Sequence, residues 1–449
     1  MPTLNIQKFS WIDFKLRNIL ISLRPWSLPV SLVPIFLSGI IIMLKNLGTI
    51  VSFNFILCVL ITITAHCFAN ITNTYFDFVN KVDKKQSDDR GLIDKHIDIP
   101  IIKNVIIGLL LFLLFLLVVS LMITPTEIIL KLLIIVLPCM FITLFYTSNI
   151  FSLKYYGYGL PEFSLFILFG PMIMQGVSVL LTGYFNRDVF ILSLPLGFLT
   201  VNILHSNNQR DIDNDILSNI KSLAYQLGNN SYNFYKFNFV MSYLIPIIFC
   251  LASNNIWLND YRIFTILLNL PWTIYLCNCF NNKIYYELPQ KTAQHNLLYG
   301  FLLGASILPL EMFGRLLLGL LFLLGGINNI IMFEYAHALS HEKLSCINKN
   351  ISKSLSKILL LVAIGGQISS STIFILGFYP KIAIKIMIAF LTPVTFLVHN
   401  FWIIEEPSQK EMNINNGILT FPSKFDSEFV HFFKNIGMIG GCIIYLIYA

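Results

Sequence analysis

Two sets of amides and carboxylates recur at one spacing. Asn70, Asn73 and Asp77 stand at i, i+3 and i+7, and Asn208, Asp211 and Asp215 repeat that interval far along the chain. On a helix such an interval places three side chains on one face. After the first set the acids continue as Asp83, Asp88 and Asp89, interleaved with Lys84, Lys85 and Arg90. Opposed oxygen donors of this kind suit a hard divalent cation, and Mg²⁺ usually takes one or two carboxylates and completes its octahedron with waters and phosphate oxygens. Lys84, Lys85, Arg90, Lys154 and Arg210 supply positive charge for the rest of a diphosphate, arginine by forked hydrogen bonds and lysine as a point charge.

The elements that must carry these residues are apolar. Of 449 residues 56% are hydrophobic and only 12% charged. Mean hydropathy is +0.73, whereas a soluble chain carries roughly twice that charged fraction. Apolar stretches long enough to cross a bilayer recur, about thirteen in all. The expectation is an all-α polytopic membrane protein in contact with lipid. The net charge of +7 then reflects topology and calls for no nucleic acid partner. With the N-terminus on the cytoplasmic side, about three quarters of the 30 Lys and Arg fall on that side, the asymmetry expected of inner loops. The two polar sets end the second span (53–74) and the sixth (188–207), so both face the same membrane surface. No cleavable signal is expected, because Lys8, Lys15 and Arg17 lead through Arg24-Pro25-Trp26 into a full span. The eight cysteines are scattered, and Cys277 and Cys279 lack a CxxC spacing, so they indicate neither a metal site nor a disulfide framework.

Inside a membrane a diphosphate substrate carries a lipid tail. Drawing charge off an allylic diphosphate lets its C1–O bond ionise. Apolar walls then keep water from the cation, ring faces such as that of Tyr146 stabilise it, and an electron-rich ring attacks C1. A transporter is the competing class, but it calls for acids at mid-membrane in broken helices rather than at span ends beside basic loops.

Several ordered motifs give a family resemblance over residues 20–310. They are Leu23-Arg-Pro-Trp-Ser27, Asn70-Ile-Thr-Asn-Thr-Tyr-Phe-Asp-Phe78 with Asp83 and Ser87-Asp-Asp-Arg90, Leu144-Phe-Tyr-Thr147, Lys154-Tyr155, and Phe169-Gly-Pro171. The later ones are Leu204-His-Ser-Asn-Asn-Gln-Arg-Asp211 with Asp215, and Leu288-Pro-Gln-Lys-Thr-Ala293. In these the chain resembles the UbiA superfamily of intramembrane prenyltransferases, and most closely its vitamin K branch with the 1,4-dihydroxy-2-naphthoate polyprenyltransferases. It departs from the usual pattern at Thr74, Lys81, Pro161, Ile216 and Asn219.

The resemblance implies a nine-helix bundle around a central cavity, with two Mg²⁺ ions bridging a polyprenyl diphosphate. It implies Asn73, Asp77 and Asp83 as ligands of the first motif and Asn208, Asp211 and Asp215 as ligands of the second. Asn70, Lys84, Arg90, Lys154, Asn207 and Arg210 would bind substrate. Tyr146 would stand near the ester oxygen and, with Asp77 and Asp211, form the catalytic set. The implied acceptor is 1,4-dihydroxy-2-naphthoate or a related naphthoquinol, in menaquinone or vitamin K synthesis. Prenylation of 4-hydroxybenzoate is the nearer alternative and a quinone-linked redox protein the farther one.

A boundary is expected near Glu311, dividing the chain into 1–310 and 311–449. The second part resembles the DoxX family of four-helix membrane proteins in Arg315-Leu-Leu-Leu-Gly319, Gly325-Gly-Ile-Asn328, His399-Asn-Phe-Trp402, Phe433-Lys-Asn-Ile436 and Gly440-Gly441. His399, Trp402 and Lys434 are the candidates there for holding a quinone. The fusion favours a bacterial inner membrane over a eukaryotic internal one.

Overall fold

The computed structural model describes residues 19–45, 52–80, 98–148, 152–217, 220–252, 261–347, 349–397 and 424–448. Among them no strand occurs, and ten helical segments are long and apolar enough to cross a membrane. The contacts divide the chain into two units, Met1–Leu308 and Pro309–Ala449.

The first unit contains α1 (Pro29–Leu44), α2 (Phe53–Val79), α3 (Ile99–Ile123) and α4 (Thr126–Phe145). A short α5 (Leu153–Tyr156) leads into α6 (Leu160–Ile167), which passes through a π-helical turn, Leu168–Met172, into α7 (Ile173–Thr182). Then come α8 (Arg187–Arg210), α9 (Ile212–Leu217), α10 (Leu223–Leu227), α11 (Ser231–Ala252), α12 (Leu270–Asn281) and α13 (Leu288–Ile307). Each long helix that carries a polar set starts from a side-chain cap. The Ser52 hydroxyl accepts from the Phe55 N–H at 3.2 Å, and the Asn186 amide oxygen accepts from the N–H groups of Asp188 and Val189. Both caps satisfy donors that no helical carbonyl can reach.

Small residues set the crossing between the α6–α7 rod and α8. A Cβ on Gly170 would lie 3.1 Å from the Ser193 carbonyl oxygen, and one on Gly197 would lie 2.9 Å from the Phe166 carbonyl oxygen. In lipid there is little hydrophobic drive between helices, so close backbone approach and hydrogen bonds must hold them. Both are present. Behind α8, Asn238 donates to the Asn202 amide oxygen at 2.8 Å, Asn202 donates to the Tyr235 carbonyl at 3.0 Å, and the Tyr235 hydroxyl meets Thr292 at 2.7 Å. Ile35, Ile42, Leu192, Leu199, Phe239 and Leu303 fill the space between them.

Two spans differ from their expected ends. The second span runs on as helix to Val79, so Asn70, Asn73 and Asp77 share one uninterrupted helix. The sixth does not continue through its polar set, because Asp211 leaves helical geometry (φ −98°, ψ 9°) and Asp215 sits on the separate α9. The same spacing therefore yields one helical face in the first set and a broken one in the second.

The second unit contains α14 (Leu310–Ile331), α15 (Phe333–Ile347), α16 (Lys353–Leu376), α17 (Pro380–Leu397) and α18 (Lys424–Tyr448). Its core is small: Phe322, Phe374, Ala383, Ile384, Met387, Leu391 and Cys442. Glu311 ties two of its helices by pairing with Arg315 at 3.4 Å and accepting from the Tyr445 hydroxyl at 3.1 Å. Of the residues expected to hold a quinone, His399 and Trp402 lie outside the described residues. Lys434 meets the His431 ring nitrogen at 3.1 Å.

Candidate active site

A cavity of about 470 Å³ opens within the first unit. From α2 it is lined by Asn70, Asn73 and Asp77, and from the α4–α5 region by Tyr146 and Lys154. From α8 and beyond come Asn207, Asn208, Arg210, Asp211 and Asp215. Asp83, Lys84 and Arg90, with Lys85, Asp88 and Asp89, lie outside the described residues. Deeper in, the walls are apolar, with Leu113, Leu117, Ile135, Val136 and Phe169 among them. Charge is thus confined to one end of a chamber otherwise suited to a hydrocarbon.

At the first set the side-chain oxygens of Asn73 and Asp77 all have donors. Lys154 Nζ lies 2.9 Å from Asn73 Oδ1 and 2.9 and 2.7 Å from the two Asp77 oxygens. Thr147 also donates to Asn73 Oδ1, at 3.0 Å, and the Tyr155 hydroxyl donates to Asp77 Oδ1. Three oxygens of two residues therefore converge on one ammonium, which shows that the notch accepts a cation and offers it only hard ligands. Asn70 is spoken for differently, its amide nitrogen donating to the Leu23 carbonyl and the Ser27 hydroxyl, both at 3.0 Å.

At the second set Arg210 forks onto Asp211, with Nε and an NH2 nitrogen each 2.8 Å from a carboxylate oxygen. Asn208 donates its amide nitrogen to Glu162 Oε1 at 3.0 Å. Burial pushes the Asp215 carboxyl up to about 6, with the nearby Ser222 hydroxyl opposing it. The charges of Asp211 and Asp77 push it further up, and Lys154 pulls it back. Asp77 and Lys154 belong to the first set, so the two sets share one electrostatic field across the cavity.

No three His, Cys, Asp or Glu side chains gather as a metal cage among the described residues. The donor set nevertheless fits Mg²⁺, since amide and carboxylate oxygens from two directions leave room for phosphate oxygens in the coordination sphere.

Four residues near the site were not picked out individually in the sequence. Tyr155 and Thr147 sit inside matched motifs but draw no attention as ligands of Asp77 and Asn73. Glu162 is 3% exposed, and its charge, after burial itself, helps push the Tyr146 phenol above its ordinary range. His66 lines the cavity one turn before Asn70, a signal that i, i+4 periodicity could have given. Its Nε2 lies 3.0 Å from Ser27 Oγ, its Nδ1 meets the Ser31 hydroxyl, and its ring stands edge-on to Phe169. Ser27 gives its only proton to the Arg24 carbonyl at 2.8 Å, so His66 must donate from Nε2 and accept from Ser31 at Nδ1.

Comparison with known proteins agrees with this arrangement. The model of the UbiA prenyltransferase family matches residues 31–284. "UbiA prenyltransferase domain-containing protein 1" of Danio rerio is 31% identical over 302 residues, covering 66% of this chain and 86% of its own length. Its homolog in Drosophila melanogaster is 32% identical over 295 residues, covering 64% and 78%. A solved UbiA homolog from Archaeoglobus fulgidus bound to GPP and Mg²⁺ aligns over 64% of this chain and 99% of its own, at 14% identity and a TM-score of 0.46, a likeness too weak to carry an argument. Both relatives are eukaryotic, so the expected bacterial inner membrane finds no support in them. A multi-pass membrane chain with both polar sets on one cavity, matched to the family model over more than half its length, is a prenyltransferase and belongs to the UbiA prenyltransferase family.

Proposed function

We propose that the chain transfers a polyprenyl group from its diphosphate to 1,4-dihydroxy-2-naphthoate or a related naphthoquinol, on the way to menaquinone or vitamin K. The observation that supports this most is the shared cavity, with oxygen donors and cations at one end and apolar walls beyond. Asn73, Asp77, Asn208, Asp211 and Asp215 would hold Mg²⁺, joined by Asp83. When bound, Mg²⁺ would withdraw charge from the diphosphate and ease departure of the leaving group. Lys154 and Arg210, each now on a carboxylate, carry the charge that binds the remaining phosphate oxygens; Lys84 and Arg90 are assigned the same task. Asn207 and Asn70 line the substrate path. The apolar walls exclude water while C1 is cationic, and Tyr146 lies on the wall near the phosphate end. In the overall change the C1–O bond breaks and a ring carbon bonds to C1. The ring then regains aromaticity by losing its carboxylate as CO₂, or a proton where the acceptor is a naphthoquinol without one, and diphosphate leaves.

The SDDR and HSNN motifs favour a naphthoate acceptor over 4-hydroxybenzoate. We further propose that the second unit is a DoxX-like domain of four membrane-crossing helices that receives the quinol made by the first, and that a eukaryotic internal membrane houses both. The nine-plus-four division of helices belongs to the same proposal.

The test supplies membranes bearing this chain with dihydroxynaphthoate, a polyprenyl diphosphate and Mg²⁺. Demethylmenaquinol should form, recovered as demethylmenaquinone after oxidation by air, and Asp77→Ala and Asp211→Ala should abolish it. Unchanged turnover in both variants defeats the assignment. Product formed only on 4-hydroxybenzoate redirects it. Truncation after residue 310 should leave prenyl transfer intact, and its complete loss in a folded truncate would favour a reading led by the second unit.

A further inference from the structure

The chain from Ser152 to Glu162 touches both polar sets. Lys154 and Tyr155 on α5 reach Asn73 and Asp77, and Glu162 in the first turn of α6 reaches Asn208. Between them lies a turn that only glycine fits at one point, since Gly157 has φ +77° and a Cβ there would stand 2.5 Å from the Lys221 carbonyl oxygen. Glu162 is the anomaly of this segment. It is a carboxylate 3% exposed, and its Oε2 is buried with no hydrogen-bond partner among the described residues. Burying a carboxylate without a counter-charge costs several kcal/mol in general. A helix contact alone would be served as well by glutamine or leucine.

We infer that Glu162 is a positioning residue for the divalent cation, acting through Asn208; this rests on the metal-dependent reading proposed above. By accepting from Asn208 Nδ2 at 3.0 Å it fixes the rotation of that amide, leaving Oδ1 as the end turned away from Glu162 on a residue that lines the cavity. A carboxylate acceptor also polarises the amide, leaving more negative charge on its oxygen, where a hard cation gains most. Partners of this kind behind a metal ligand typically alter affinity about 10- to 100-fold. Glu162 thus does for the second set what Lys154, Tyr155 and Thr147 do for the first, and a single segment holds both in register.

The experiment is Mn²⁺ titration of the purified full-length chain, read by the electron paramagnetic resonance of free Mn²⁺, with no prenyl substrate present. Relative to wild type, Glu162→Gln should weaken Mn²⁺ binding about tenfold and Glu162→Leu about 100-fold. The melting temperature of Glu162→Gln should stay at or above that of wild type, because an uncompensated buried charge has been removed. Added Mg²⁺ should restore the turnover of this variant. Wild-type affinity in Glu162→Gln, with Asp211→Ala weakened as a control, overturns the inference and leaves the prenyl-transfer reading standing. A lower melting temperature with unchanged affinity would also overturn it, assigning Glu162 to packing. No Mn²⁺ binding by wild type removes both readings.

Discussion

The two polar sets share a spacing and differ in how the fold treats them. Asn73 and Asp77 lie on a continuous helix, and the Asp77 side chain is only 5% exposed and held by Lys154 and Tyr155 from another segment. Asp211 caps the end of its helix, its side chain 40% exposed and paired with its own neighbour Arg210. The first set is fixed by the tertiary structure. In the second, Asn208 is likewise tied to a distant segment by Glu162, whereas Asp211 is paired with a neighbour on its own helix and is more open to solvent.

The contrast can be broken by mutation. The largest effect is expected for Asp77→Ala, which should lower turnover by about 10³-fold or more, since it removes both a proposed Mg²⁺ ligand and the counter-charge of Lys154. It should also destabilise the first unit by roughly 2–4 kcal/mol, because breaking a buried pair strands its partner. Thermal melting in detergent checks this. Asp211→Ala should match the loss of turnover within about tenfold yet leave the melting temperature within experimental error, as an exposed pair contributes about 0–1 kcal/mol. Equal melting shifts in the two variants would erase the distinction. Next in size, Tyr155→Phe should reduce turnover about tenfold with the fold intact, because it withdraws one donor from Asp77 Oδ1. Thr147→Val should be mildest, about threefold, since Asn73 Oδ1 keeps Lys154 as a donor. Chelation of Mg²⁺ should silence the wild-type enzyme reversibly, and loss that Mg²⁺ cannot restore would point away from a metal-dependent site.

Much of this was legible beforehand. Hydropathy announced the membrane helices, and intramembrane acids and amides announced the site, because such groups are retained in lipid only where something requires them. The break of α8 at Asp211 was not legible, since the i, i+3, i+7 pattern reads alike whether or not the helix continues. Nor was the role of Glu162, a lone acid beside a proline in the sequence. Its partner Asn208 lies 46 positions away, and only the packing of α6 against α8 through Gly170 and Gly197 joins them.

By itself, then, the sequence determined that the chain is helical and membrane-bound, which residues are chemically costly there, and the family to which their order belongs. Those follow from local periodicity and from the free energy of placing each side chain in lipid. The tertiary structure alone decided that Lys154 meets Asp77, that Glu162 stands behind Asn208, and that both sets open on one chamber. Contacts between distant helices depend on how closely backbones can approach, and no single helix encodes that.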